Sequence, residues 1–285
     1  MWPWCDESGR LSPLKLAVFV ALFVPAARVG WRFETHALGA DPMNAVIHEI
    51  GNWTIKLIFL AFAITPARRI LAWPGILMVR RMVGVGAFAY AALHLVLYIT
   101  DQKFNLAKVA SEIVLRYYLT IGFTALLILA ALAATSTDGM ARRLGARRWR
   151  RLHQVGYLAA LLAVVHFFMQ TKADVDEPWV MAGLYAWLML YRALGWWRGS
   201  DRKVSLGLIA LLAPLAAVLA ALGEAIYFRI KVGVDPLMVL ETNFSTIAGV
   251  RPAVVVLAIC LALSLAGALR ALASRRARTP QPVRG

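Results

Sequence analysis

Eight stretches of this chain stay apolar over about the 20 residues a helix needs to cross a bilayer. They run roughly over 12–29, 47–66, 82–100, 117–135, 152–170, 178–196, 204–223 and 252–272. A soluble fold has nowhere to hide that much apolar surface. Of 285 residues, 61% are apolar and 16% charged, where soluble domains sit nearer half and a quarter. The expected fold class is therefore an all-α integral membrane protein. The first stretch reads as a retained helix and not as a signal peptide. Its leader, MWPWCDESGR, carries two acids against one arginine, and no clean small-x-small cleavage site follows at once.

A net charge of +16 calls for a membrane explanation before a nucleic-acid one, because lysine and arginine concentrate in cytoplasmic loops and fix orientation. The amino-terminal end, the second, fourth and sixth connections and the tail hold 21 of the basic residues, and the odd-numbered connections hold nine. This division predicts a multi-pass chain with both termini in the cytoplasm and the lipid bilayer as its surroundings. The fifth connection, TKADVDEPW, is acidic and faces the other side. Pro66, Pro178 and Pro252 fall at expected span ends, where a missing N–H costs least. Trp31, Trp73, Trp149, Trp179, Trp196 and Trp197 fall near expected interfaces. No basic domain with interleaved aromatics lies outside the membrane, so no nucleic-acid partner is expected.

Motifs for soluble cofactor domains are missing. There is no G-x-G-x-x-G after a strand and no phosphate-binding loop signature. Cys5 and Cys260 are the only cysteines, too few for a disulfide framework or a thiolate metal site. The last two apolar runs contain no histidine. Residues 1–200 are therefore read as a functional six-helix core and 201–285 as an appended helix pair with a basic tail.

Ionisable side chains inside a membrane are costly and point to function. The five histidines are His36, His48, His94, His153 and His166. The third span starts near Arg81, and His94 is 13 residues further along, roughly 20 Å into a core about 30 Å thick. The fifth span starts near Arg151, and His166 is 15 residues on, roughly 22 Å up. Two imidazoles at one depth on parallel helices suit the two axial positions of a haem iron. A zinc site wants three or four clustered ligands, and a proton relay usually recruits buried acids. His153 lies near the inner surface, and on an ideal helix its ring points about 140° from that of His166. One cofactor cannot use both, so if His153 binds haem it serves a second one. His153 and His48, at the outer end of the second span, remain open to a packing or hydrogen-bonding role. His36 is expected in a solvated loop.

Several stretches together carry a family resemblance: LGADP (38–42), IHEIGNWTIK (47–56), ITPARR (64–69), RRMVG (80–84), ALHLVLY (92–98), RYYLTIG (116–122), TSTDGMARRLG (135–145) and WRRLHQVGYLAALLAVVHF (149–167). They recur in order over about 38–192, and the chain there resembles the MsrQ (YedZ) family. These are haem-binding membrane subunits of the bacterial periplasmic methionine sulfoxide reductase system, within the ferric-reductase-like transmembrane group. The resemblance implies a six-helix haem-binding bundle, here with two additional carboxy-terminal helices. It puts His94, His153 and His166 in haem-ligand positions. It implies one or two b-type haems, and electron entry from the quinone pool or from a cytosolic flavin reductase, with bound FMN or quinone as further cofactors. The wider group carries two histidines 14 apart on the third span, and here Arg80 stands 14 before His94. Arginine is a poor iron ligand, but its guanidinium suits a haem propionate or a flavin phosphate.

The reading is a cytochrome b of the bacterial inner membrane. It would pass electrons from quinol or a flavin reductase to a periplasmic molybdenum-cofactor methionine sulfoxide reductase, with substrate chemistry on that separate subunit. The alternatives are a ferric or other transmembrane reductase with a different partner, and a transporter whose histidines conduct protons. Topology reporters fused after residues 75, 145 and 200 are all expected to report cytoplasm; a signal from the opposite side at any of the three breaks the orientation.

Overall fold

A computed structural model describes residues 2–5, 8–171, 174–200, 204–245 and 249–276. Lys172, Arg202, Lys203, Arg278 and Arg284, counted in the charge division above, lie outside the described residues. The described chain is helical, and seven helical segments are long and apolar enough to cross a membrane. This follows from the solvent: lipid offers no partner for a bare N–H or C=O, so a spanning segment bonds its backbone to itself.

The first span is two helices, α1 (Pro13–Ala21) and α2 (Val24–Glu34). The break at Leu22–Phe23 precedes Pro25, which has no N–H to give. Tyr90 repairs the gap: its hydroxyl donates to the Leu22 carbonyl at 2.6 Å and accepts from the Ala26 N–H at 3.0 Å. The second span is longer than expected. Helix α3 covers Pro42–Ile70 and carries Pro66 inside it, so this proline does not end the span. A 3₁₀ turn, Pro74–Val79, leads into α4 (Arg80–Asp101).

The connection after α4 is itself structured. Asn105 caps α5 (Leu106–Leu115), its side chain accepting from the Lys108 N–H at 3.0 Å. Helix α5 is short and amphipathic, with Val109 buried and Leu106, Val114 and Leu115 exposed. Arg116, with extended dihedrals, turns the chain into α6 (Tyr117–Ala134). Thr137 caps α7 (Asp138–Gln154), whose first-turn Asp138 pairs with Arg81. Gly145, at φ 72° and ψ 154°, kinks α7 in a region only glycine enters freely. Helix α8 (Gly156–Gln170) follows after the single residue Val155.

By packing, the chain forms two compact units, residues 1–62 with 77–170 and residues 63–76 with 171–285. The expected division into 1–200 and 201–285 is a functional one; packing instead groups α9 (Asp176–Trp197) with the later helices. Helix α9 has 22 residues, as long as a span. It is not among the seven because its tryptophans, tyrosines and Arg192 lower its hydropathy. In the first unit α6 packs along α8, with α4 and α5 also against α6.

In the second unit α9, α10 (Leu206–Val232) and α12 (Pro252–Arg276) pack on one another, with the short α11 (Pro236–Phe244) against α10 and α12. Association in lipid gains little from hydrophobicity and relies on close packing of small residues. Helix α10 accordingly buries Ala213, Ala216, Ala217, Ala220, Ala221 and Ala225. A Cβ on Gly183 of α9 would stand 3.1 Å from the Ala220 methyl, so the contact is nearly backbone to side chain.

One polar network fastens these helices. Glu224 is fully buried and pairs with Arg251, which also reaches Asp176 at 3.3 Å. Asn243, equally buried, donates to Glu224 at 2.7 Å and to the Val239 carbonyl at 3.2 Å. The Glu224 carboxylate of α10 thus holds Asn243 of α11 and Arg251 at the foot of α12, and Arg251 extends the network to Asp176 of α9. Removing one partner of a buried pair strands the other charge. Glu224→Ala is expected to lower the unfolding free energy by about 3–5 kcal/mol, read as an earlier unfolding transition in detergent. Replacing Glu224 and Arg251 together by leucine and methionine should cost less than the two single changes combined; an unchanged transition in Glu224→Ala would exclude the network as a fastening.

Candidate functional site

Five helices of the first unit, α3, α4, α5, α6 and α8, line a cavity of about 500 Å³, within the usual range for small-molecule sites. Its lining runs along α3 from Asn44 to Ile58, along α4 from Ala91 to Asp101, along α6 from Tyr118 to Leu129, and along α8 from Ala163 to Gln170. Toward the ends of α4 and α8 the walls turn polar, with Gln102, Lys108, Glu112 and Arg116. Deeper in, Ile55, Ile58, Leu126 and Leu129 make them apolar. His48, His94 and His166 all line this one space.

The rings of His94 and His166 have their centroids 6.3 Å apart, with planes at 85°. A metal–imidazole bond is about 2 Å. Adding about 1.1 Å from each nitrogen to its ring centre puts two rings on one metal about 6 Å apart. The observed 6.3 Å is close to that distance.

Backbone carbonyls fix the tautomer of both rings. His94 Nδ1 lies 2.9 Å from the Ile47 carbonyl oxygen, and His166 Nδ1 lies 2.9 Å from that of Tyr118. A carbonyl can only accept, so each Nδ1 carries the proton and donates it. Each Nε2 is then left with a lone pair for a metal, the arrangement in which a ligand's other nitrogen is oriented from outside the coordination sphere.

These two bonds need an unusual clearance. Inside a helix the carbonyl of residue i faces the N–H of residue i+4, and the side chain at i+4 stands beside it. Four residues after Ile47 comes Gly51, and four after Tyr118 comes Gly122. A Cβ on Gly51 would meet the His94 ring at 3.1 Å, and one on Gly122 would meet His166 Nδ1 at 2.7 Å. With no Cβ at either position, a ring from the neighbouring helix lies on the helix backbone and reaches the carbonyl. Neither glycine nor either carbonyl stands out by composition or periodicity. The available signal is the i, i+4 spacing inside IHEIGNWTIK and RYYLTIG, which becomes legible only once the facing histidines are known.

His153 and Arg80 do not line the cavity. His153 stacks on Trp149 with ring centroids 3.8 Å apart, and Trp149 is held by its indole N–H on the Thr135 carbonyl at 2.9 Å. The Nδ1 of His153 donates to the Trp149 carbonyl at 3.1 Å, and its Nε2 is 3.3 Å from the Ser136 hydroxyl. Arg80 and Arg81 lie within electrostatic range of this ring. His36 is exposed, at a positive φ of 54°.

Comparison with known proteins follows the same helices. The family described as "Ferric reductase like transmembrane component" matches residues 50–164, a span that includes both His94 and Gly122. Three relatives carry the name "Protein-methionine-sulfoxide reductase heme-binding subunit MsrQ". The one from Rhodospirillum rubrum is 44% identical over 188 residues, 66% of this chain and 88% of its own length. The one from Xanthomonas campestris pv. campestris is 41% identical over 206 residues, 70% and 93% of the two chains. The one from Caulobacter vibrioides is 39% identical over 183 residues, 64% and 86%. No solved structure matches the chain significantly. With most of each relative's length covered at this identity, the chain belongs to the MsrQ family of the ferric-reductase-like transmembrane proteins.

Proposed function

We propose that this chain is a b-type cytochrome of the bacterial inner membrane, both termini cytoplasmic, and the haem-binding subunit of a protein-methionine-sulfoxide reductase system. In this reading it carries electrons from the quinone pool or a cytosolic flavin reductase to a periplasmic molybdenum-cofactor reductase. The observation that carries the reading is the facing pair of His94 and His166, 6.3 Å apart with both Nδ1 atoms on backbone carbonyls. The relatives' shared name supports the same assignment.

The donor set and the cavity fit a haem. Bound there, the group would supply reversible one-electron transfer. His94 and His166 offer it two neutral imidazoles, which avoids placing net ligand charge in the membrane. The carbonyls of Ile47 and Tyr118 hold each ring in the metal-binding tautomer and raise its basicity. Apolar residues deep in the cavity, Ile55, Ile58, Leu126 and Leu129, would keep water away from the group. With both imidazoles engaged as its ligands, the site would relay electrons and leave the sulfoxide chemistry to the partner.

Arg80 and His153 belong, in the same reading, to the cytoplasmic end. A guanidinium there suits the phosphate of FMN or a propionate of a second haem. For His153 to serve as an iron ligand, its Nε2 would have to leave the Ser136 hydroxyl. One haem per chain, retained in His153→Ala, is therefore the expected stoichiometry. A second haem that disappears in this variant would move His153 into the ligand set.

His94→Ala and His166→Ala should each abolish haem binding, measured as the haem-to-protein ratio and the reduced absorption spectrum. Full haem in either variant would sink the assignment. The glycines give a graded check. Gly122→Ala should lower haem content more than Gly51→Ala, because its Cβ meets the ring at 2.7 Å and not 3.1 Å; the reverse order would mean that clearance is not what these positions supply.

A further inference from the structure

RYYLTIG (116–122) does more than place a carbonyl and a glycine. Arg116 closes α5 and opens α6, with φ −105° and ψ 102°. Its Nη2 pairs with Glu112 Oε1 on α5 at 3.2 Å, and its Nη1 donates to the Tyr118 hydroxyl at 3.2 Å. Glu112, in turn, accepts the phenol of Tyr98 from α4. The chain of contacts then continues through the backbone of Tyr118, whose carbonyl receives His166 Nδ1–H. Thr120 tightens the same corner, its hydroxyl donating to the Ile113 carbonyl at 2.5 Å. One continuous run of bonds thus ties α4, α5 and the start of α6 to a ring of the facing pair.

With the Arg116 side chain half exposed, this ion pair adds little stability, so its value is sought in geometry. A planar guanidinium holds two partners at fixed angles, which a lysine cannot do. The Tyr118 carbonyl lies in the first turn of α6, so its position follows from where that helix begins. The hydrogen bond on the outer nitrogen of an axial imidazole is one of the protein's levers on haem potential.

We propose that Arg116 is a positioning residue for the haem: by fixing the corner between α5 and α6 it holds the Tyr118 carbonyl under His166, and thereby sets the orientation of that axial ring and the reduction potential. This rests on the haem reading above.

The test uses the purified full-length protein and the variants Arg116→Gln, Arg116→Lys, Tyr118→Phe and Lys108→Gln. Haem ratio, redox titration and the low-temperature electron paramagnetic resonance spectrum of the oxidised haem are measured. Haem should be retained. Arg116→Gln, Arg116→Lys and Tyr118→Phe should all alter the resonance spectrum. They should also shift the reduced-to-oxidised ratio at fixed potential threefold to tenfold, the upper figure being about 59 mV. Lys108→Gln removes a cation from the same cavity mouth without touching the corner, and its resonance spectrum should stay as in the wild type. A plain charge effect would shift the potential equally in Lys108→Gln and Arg116→Gln, spare Arg116→Lys and leave every resonance spectrum unchanged; that result overturns the proposal. If Arg116→Gln does not fold, Tyr118→Phe decides: a wild-type spectrum and potential there also overturn it. In both cases the haem reading stands, whereas haem-free wild-type protein, or full haem in His166→Ala, would fell that reading first.

Discussion

A helix satisfies its own backbone so fully that a side chain from a neighbour rarely reaches one of its interior carbonyls. Here two imidazoles do, at Ile47 and Tyr118, and the cavity's chemistry follows from it. Each contact settles a tautomer, frees an Nε2 and fixes a ring plane. The cost is a glycine in the interior of α3 and another in α6, each about 1 kcal/mol poorer in helix propensity than alanine. The surrounding helices have to make up for that loss. They do so by packing: α6 runs along α8, so the ring of His166 and the bare backbone at Gly122 face each other along a shared wall.

The same demand, that no polar group be left bare in lipid, explains the features elsewhere that look irregular. The interruption between α1 and α2 is completed by the hydroxyl of Tyr90, which both donates and accepts. The buried Glu224 is surrounded by Arg251 and Asn243, since an isolated carboxylate there would be untenable. Asp176, from the acidic fifth connection, joins this second-unit network through Arg251. In each unit a small set of polar contacts specifies how apolar helices are registered, where the apolar surfaces alone would allow sliding.

Hydropathy made the spans legible, and depth counting brought His94 and His166 to one level. Hydropathy reports position along a helix but not rotation about it, so it could not say which ring faces which backbone. That is why Gly51, Gly122 and the two carbonyls went unread. The packing role left open for His153 is consistent with its engagement by Trp149 and Ser136. Segment ends were misjudged where a local signal was overridden: α3 continues past Pro66 to Ile70, because one missing N–H does not outweigh the bonds on either side. Helix α5 was read as connection since ten residues offer too few turns for a periodic signal, although its capping Asn105 was in plain view. The grouping of α9 with α10 and α12 depends on small-residue contacts such as Gly183 with Ala220, which no single segment announces.

That the ring acceptors are main-chain atoms has a consequence for how this protein tolerates change. In many metal sites the orienting partner is a carboxylate or amide side chain, and a point mutation deletes it. No substitution deletes the carbonyl of Ile47 or Tyr118, because each belongs to the main chain. Fragility is displaced four positions along, to Gly51 and Gly122, residues that carry no side chain and add nothing to the site beyond their backbone. A survey for sensitive positions that scored only side-chain chemistry around the histidines would pass over both. Their role is to be empty space of a defined shape.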